Sequence, residues 1–406
     1  MQHLKTCFFN NVLKKASSRL ILTSSSSHPH PHTLTPTKLK LNRNTSSAGR
    51  LMMDDEDILN TTNISLKTND VVNLQHRTLC NLWAGCGQII EVTVQNHPSI
   101  IIKRISMPKD CHSIGNSRKK ASYICETNFY RHLAQHLNSI GCTVPIPLHL
   151  KSDSEGRNIT IAMSKLEGSS GTPSWQHSSS FMRWLANLHS EYWGNDRADK
   201  AVALGIQEQG TYWYLETRPD ELDAIPNHGW EGKLKQAASR IDMYLKRDDC
   251  FPTVVHGDAK LANILFQYVE EEEPSTSSNN NNNNNDNDND NDNGDDNVLQ
   301  CKPLVYDFQY CGKASCGKDL AKFLTCGTNA KDEEALLQLY HQELIGHLRK
   351  KWNMDDSELP SYERLAIVVD ISICDLGRFM AGWGWWGIDR KQKIMKVLDQ
   401  LDTLGI

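Results

Sequence analysis

Four polar residues in the second half of the chain have the types and spacing that chemistry on a phosphate requires. His256, Asp258 and Asn263 lie in Val254-Val255-His256-Gly257-Asp258-Ala259-Lys260-Leu261-Ala262-Asn263-Ile264-Leu265-Phe266. Asp307 follows in Pro303-Leu304-Val305-Tyr306-Asp307-Phe308-Gln309-Tyr310. Moving a phosphoryl group onto a hydroxyl needs a carboxylate to take the hydroxyl proton, and oxygen ligands to hold magnesium on the nucleotide phosphates. An Asp, an Asn five residues on, and an Asp after the next strand supply that set. Apolar residues flank each cluster, so the polar side chains are expected where buried strands run out into loops.

The elements that must position them read as follows. Leu82 to Val92 reads as strand, turn, strand, with Gly85 and Gly87 in the turn; such glycines let backbone N–H groups approach a phosphate. Ser99 to Ile105 is an apolar strand carrying Lys103, with Arg104 on the opposite face because strand side chains alternate. Arg118 to Asn138 reads as a helix with Ile124, Phe129, Leu133 and Leu137 as its apolar stripe and Glu126 upon it. Ile159 to Gly168 is expected to be the last strand of this half and the hinge to the next. Beyond it, Phe181 to His189 spaces apolar residues for a buried helix, and His189 reads as a core histidine beneath the catalytic loop. Further helices are expected over 231–246, 333–350 and 362–380.

The wording His256-Gly257-Asp258 with Asp307-Phe308-Gln309 and Lys318-Asp319-Leu320-Ala321 resembles the kinase-like phosphotransferases of small molecules. These include aminoglycoside and choline kinases and the CHK or ecdysteroid-kinase-like proteins. Protein kinases carry His-Arg-Asp and Asp-Phe-Gly in these places with an Ala-Pro-Glu beyond, which is absent here. The resemblance implies an α+β bilobal fold: a small β-rich lobe over 70–165 and a larger helical lobe over 166–406. It implies ATP and Mg2+ as cofactors and a small-molecule acceptor with a hydroxyl, of the choline, aminoglycoside or steroid-like alcohol class. Under it, Asp258 orients and deprotonates the hydroxyl, His256 braces the loop, and Asn263 and Asp307 hold magnesium. Lys103 binds the phosphates, steadied by Glu126. Hinge backbone between Ser164 and Leu166 contacts the adenine. Gln309 in place of the usual Gly implies a fixed site. The alternative is a catalytically silent relative that binds nucleotide or a partner; retention of Lys103, Glu126, Asp258, Asn263 and Asp307 speaks against it.

Composition sets the bounds. Net charge is -5, but ten acids fall in the spacer at 270–297 and eight bases among residues 1–53, which hold no acid. Without those segments the body is nearly neutral, which gives no electrostatic reason to bind nucleic acid. The 12 cysteines include no Cys-x-x-Cys pair, so zinc is not expected and an intracellular, reduced setting is. No apolar run approaches the ~20 residues of a membrane span. Residues 1–53 have the basic, hydroxyl-rich composition of a mitochondrial or plastid transit peptide; the alternative is a disordered extension on a cytoplasmic protein. The spacer is expected to be a disordered, lengthened turn. Its Asp-Asn alternation lacks the Gly and Glu of a calcium loop. Aromatics in Arg378-Phe379-Met380-Ala381-Gly382-Trp383-Gly384-Trp385-Trp386-Gly387 either fill the core or would suit a quaternary ammonium such as choline.

Overall fold

The computed structural model describes residues 53–68, 71–82, 85–108, 113–269, 300–385 and 390–406. The leader up to residue 52 and the spacer at 270–297 lie outside the described residues.

Alternating apolar residues build the smaller lobe. Strands β1 (Gln75–Asn81), β2 (Gly87–Thr93), β3 (Ile100–Ser106), β4 (Pro147–Ser152) and β5 (Asn158–Ser164) form one antiparallel sheet, ordered β1-β2-β3-β5-β4. One face buries Ile90, Val92, Ile100, Ile102 and Ala162 against Ile58 of the helix Asp55–Leu66. That helix lies ahead of the boundary expected at residue 70. Asp54 caps it by accepting from the Asp57 N–H at 2.9 Å, but its sparse apolar residues give little helical period. β1 lies ahead of the strand expected from Leu82 and is exposed along its length, as an edge strand with no buried face to impose alternation.

The other face of the sheet meets the helix Ile114–His132 through Tyr123, Phe129 and Tyr130. This helix begins a turn earlier than Arg118, because Ser113 accepts a capping bond from the Asn116 N–H at 3.2 Å. It stops at His132, and the short helix Ala134–Ser139 follows.

In the larger lobe the helix Trp175–Glu191 packs on Glu333–Trp352, and Tyr362–Trp383 packs on both Gly317–Cys326 and Gly229–Leu245. The helix from Tyr362 runs past Met380 and past Gly382. Gly382 serves a close approach instead: a Cβ there would lie 1.7 Å from the Glu221 carbonyl oxygen. Among the described residues no helix is long and apolar enough to cross a membrane. The two-lobed α+β architecture is the one the sequence leads to.

Two strand pairs position the chemistry. β8 (Ile264–Val269) pairs antiparallel with β9 (Gln300–Val305), Ile264 opposite Val305 and Val269 opposite Gln300. The acidic spacer therefore joins two strands of one hairpin. The two-residue β6 (Ser169–Ser170) lies on the far edge of β8. β7 (Pro252–Val255) pairs antiparallel with β10 (Gly312–Ser315). The loop 256–263 leaves β7 for β8, and the loop 306–311 leaves β9 for β10, so both polar clusters lie where these two strand pairs end.

Candidate active site

The two loops touch through a glycine. Gly257 has φ 83, and a Cβ on it would sit 2.0 Å from the Tyr310 carbonyl oxygen, so a larger residue would force the loops apart. Beneath them lies Asp319, fully buried in the helix Gly317–Cys326. Its carboxylate accepts from the backbone N–H of His256 at 2.6 Å and of Gly257 at 2.9 Å. His189, also fully buried, lies 3.3 Å from the same carboxylate and 2.8 Å from the Tyr340 hydroxyl. His189 is thus a structural histidine under the loop, and Asp319 holds the loop's backbone.

His256 does not face open solvent. Its Nδ1 accepts from the Asp258 N–H at 3.2 Å, which leaves the proton on Nε2, 3.1 Å from the Tyr306 carbonyl. The ring lies 4.7 Å from Phe308. It ties the Asp258 loop to the Asp307 loop.

Asp258 is 5% exposed. Its Oδ2 accepts from Lys260 at 2.6 Å and from Asn263 Nδ2 at 3.2 Å. Its Oδ1 is buried and has no hydrogen-bond partner. Asn263 uses Nδ2 twice, on the carbonyl and the carboxylate of Asp258, so its Oδ1 faces away from that contact. Burial acts to lower Lys260, but Asp258 outweighs it and keeps the ammonium charged.

Lys103 reaches this centre from β3, buried, and bridges two carboxylates: Glu126 at 2.7 Å and Asp307 at 3.2 Å. Burial would lower its pKa, but Glu126 and Asp307 outweigh that and hold it above the ordinary lysine value. Burial pushes Glu126 up to about 7 against the pull of Lys103. The two directions conflict, one favouring a charged pair and the other a neutral acid. A lysine that keeps its proton at 2.7 Å favours the carboxylate, and we take the pair as ionic.

Burial would also raise the Asp307 carboxyl, but Lys103 and then Lys260 hold it below the usual carboxylate range. Asp307 adopts φ 70, a left-handed conformation rare outside glycine and one that active-site residues often hold. Gln309 donates to Asp307 Oδ1 at 2.8 Å and is held in turn by Gln207, whose Nε2 donates to its carbonyl at 2.9 Å. Phe308 is fully buried, stacked on Phe129 at 3.6 Å. The Asp307 segment is clamped from both sides.

The remaining expected residues belong to the β1–β2 turn and the end of β5. Gly85 has φ 71 in the β1–β2 turn, with nothing within 4 Å of where a Cβ would be. Gly87 differs: a Cβ there would stand 1.9 Å from the Arg104 carbonyl oxygen, so its bareness serves the packing of β2 on β3. At the hinge, the Ser164 N–H donates to the Ile146 carbonyl at 2.8 Å, and Ser164 Oγ accepts from the Ile146 N–H at 2.9 Å. The N–H and Oγ of Ser164 are therefore both engaged with Ile146. Among the residues that bear on the site, reading the sequence assigned no role to Lys260 or Asp319. An i+2 lysine after the Asp was a visible signal for the first; a buried brace reached through tertiary packing leaves none.

Two protein oxygens, Asn263 Oδ1 and one of Asp307, are what a hard cation would find here. Among the described residues no group of three or more His, Cys, Asp and Glu side chains forms a cation cage. Magnesium is commonly held by one or two protein ligands and completes its shell with phosphates and water, so this donor set fits it.

Residues 111–275 match the model of the phosphotransferase enzyme family. No curated protein matches the chain. Among solved structures, the chain is similar to a microcompartment-associated aminopropanol kinase, with TM-score 0.42 and 15% identity, covering 84% of this chain and 93% of that one. It is similar to the amicoumacin kinase hAmiN, with TM-score 0.43 and 12% identity over 87% and 94% of the two chains. It is also similar to the choline kinase LicA from Streptococcus pneumoniae, with TM-score 0.42 and 13% identity over 86% and 99%. The family match runs from the helix that carries Glu126 through the hinge to the loop that carries Asp258. Over those residues the chain is similar to the phosphotransferase enzyme family, and the match takes in Glu126 and Asp258 of the cluster that Lys103 and Asp307 complete.

Proposed function

We propose that the chain moves the γ-phosphoryl group of ATP, in the presence of Mg2+, to a hydroxyl of a small molecule. The observation that carries this reading is Asp258 Oδ1. It is a buried carboxylate oxygen with no partner, while the other oxygen of the same group is fixed by Lys260 and Asn263. An unsatisfied buried acceptor is costly, and a hydroxyl donating to it would supply the missing bond. The same contact would align that hydroxyl and receive its proton as phosphorus is attacked.

Each remaining side chain has a part in that reaction. Asn263 and Asp307 would hold magnesium, which when bound draws charge from the phosphate oxygens. Lys103, steered by Glu126, would present its buried ammonium to the phosphates. Lys260 shares its charge between Asp258 and the group in transfer. Leu166 would meet the adenine through its backbone. Gln309 and Phe308 keep Asp307 in place, so no flipping segment is needed for activity.

The test sets Asp258→Asn beside Asp307→Asn. Asp258→Asn is expected to lower turnover by ~10²–10⁴-fold with ATP affinity barely changed, because Asp258 holds no nucleotide. Asp307→Asn is expected to weaken the dependence of ATP binding on magnesium as well as turnover. Calorimetric titration with ATP at several magnesium concentrations, beside the rate at saturation, separates them. If Asp258→Asn lost nucleotide binding and kept its rate, the assignment would be wrong.

A further inference from the structure

The aromatic cluster beside the catalytic loop already holds a cation, and it is the chain's own. The Arg218 guanidinium lies 5.7 Å from the Tyr212 ring centroid, 5.1 Å from Phe379 and 5.7 Å from Trp383. Its Nε donates to the Tyr212 carbonyl at 2.5 Å and its Nη1 to Glu221 Oε1 at 3.0 Å. Buried Arg378 steadies the same segment, donating to the Trp213 carbonyl at 2.5 Å while paired with Asp375 at 2.8 Å. A quaternary ammonium could use this cage only by displacing a guanidinium fixed by three rings, a carbonyl and a carboxylate.

The cage borders Asp258. Gly257 lies against the Tyr310 carbonyl, and the Tyr310 ring is 5.3 Å from that of Tyr212. Both Asp258 and Arg218 are close enough to act on the Tyr310 phenol. Arg118 arrives from the other lobe and donates to the carbonyl of Thr217, next to Arg218. One turn along that helix, Ser122 lies 3.4 Å from Gln309 Oε1, which puts Arg118 on the rim of the same loop. The Lys322 ammonium is 5.5 Å from the Tyr212 ring.

The charge balance is therefore one-sided. Lys103, Lys260, Lys322, Arg118 and Arg218 stand against three carboxylates, Asp258, Glu221 and Asp307, and each is already paired: Asp258 with Lys260 at 2.6 Å, Glu221 with Arg218 at 3.0 Å and Asp307 with Lys103 at 3.2 Å. The remaining oxygen of Asp258 is the one assigned to the hydroxyl. Glu221 keeps one buried oxygen without a hydrogen-bond partner, but its charge is already matched by Arg218, so an incoming ammonium would add a cation to a paired carboxylate. Guanidinium groups, by contrast, present several donors at once in a geometry that matches carboxylates and phosphates. Resting on the phosphotransferase reading, we propose that the acceptor hydroxyl belongs to an anion, a small molecule whose carboxylate or phosphate is gripped by Arg218 with Arg118 beside it.

The test is ADP release with ATP and magnesium over acceptors matched in size: glycerate and glycerol phosphate, neutral glycerol, and cationic ethanolamine and choline. An anion is expected to give the highest kcat/KM, by about tenfold or more over glycerol, the scale of one charge-assisted bond. The carboxylate and phosphate members separate the two sources of charge. Arg218→Gln is expected to raise KM for the preferred anion by about tenfold more than KM for glycerol, a sign-dependent difference that a merely structural role would not give. A preference for choline or ethanolamine, or an unmoved KM for anions in Arg218→Gln, overturns the proposal. If no acceptor turns over, tryptophan fluorescence of the nucleotide-free protein titrated with glycerate and with inorganic phosphate decides it. Saturable binding lost in Arg218→Gln supports the proposal, and absence of binding overturns it. Failure to bind ATP would instead sink the phosphotransferase reading. Arg118→Gln carries the same comparison should Arg218→Gln fail to fold.

Discussion

Replacing Lys103 with Met keeps an apolar stem of similar length and removes the ammonium from between Glu126 and Asp307. Glu126, 1% exposed, then has no cation at 2.7 Å. Removing one partner of a buried ion pair costs about 3–5 kcal/mol. The loss should depend on pH in a definite direction. Without Lys103 only burial and the charge of Asp307 act on Glu126, and both raise its pKa, so the folded value is no lower than about 7, against ~4.3 unfolded. Below the unfolded value the carboxyl is protonated in both states, and its burial adds no penalty. As pH rises from there toward the folded value, the unfolded chain ionises first and stability falls. Each pH unit is worth about 1.4 kcal/mol, so between pH 5 and pH 7 the variant should lose roughly 2–3 kcal/mol more. In the parent, Lys103 is raised above the ordinary lysine value, so its contribution is complete throughout this window and the difference isolates Glu126. Asp307 also loses a contact, but its side chain is 32% exposed and Lys260 still acts on it, which keeps its share small. Urea unfolding at pH 5, 6 and 7 measures the effect, and adding Glu126→Gln to the variant should abolish the pH dependence. An equal loss at pH 5 and pH 7 would refute the view that Lys103 neutralises a buried carboxylate.

Three further outcomes follow from the same contacts. Asp319→Asn turns an NH2 toward the N–H groups of His256 and Gly257, and is expected to cost about 3 kcal/mol; thermal melts should show that loss together with a fall in kcat, and intact kcat would separate the loop from its brace. Gly87→Ala places a Cβ 1.9 Å from the Arg104 carbonyl oxygen and should lower stability by about 2–3 kcal/mol, read as a fall in Tm. Replacing residues 270–297 with an Asn-Gly turn should leave ATP affinity unchanged and Tm no lower, since closing a shorter loop costs less by about 0.6 kcal/mol per halving; a lower Tm would mean that the spacer packs on the lobe.

What was legible in the sequence is what is local in the fold. Asp258, Asn263 and Asp307 sit within a few residues of short apolar strands, so period and spacing sufficed to place them, and Lys103 followed from its strand. Glu126 could be set opposite Lys103 only through the family resemblance, because a helix surface does not record which strand it covers. Asp319 was in view as part of a quoted run, yet its task depends on β7 and Gly317–Cys326 meeting in space. Gly87 carries a second reason to be bare that the sequence did not show: a Cβ there would meet the neighbouring strand. The acceptor side was the least legible. Phe379 and Trp383 look like a cage in sequence, but a cage is defined by its occupant, and Arg218 comes from an irregular stretch with no period to read. The sign of the pocket then depends on which carboxylates are already paired, Asp258 with Lys260 and Glu221 with Arg218. Contiguous motifs thus carry the residues proposed to act on phosphate and proton, while the proposed choice of acceptor rests on charges that only the folded chain brings together.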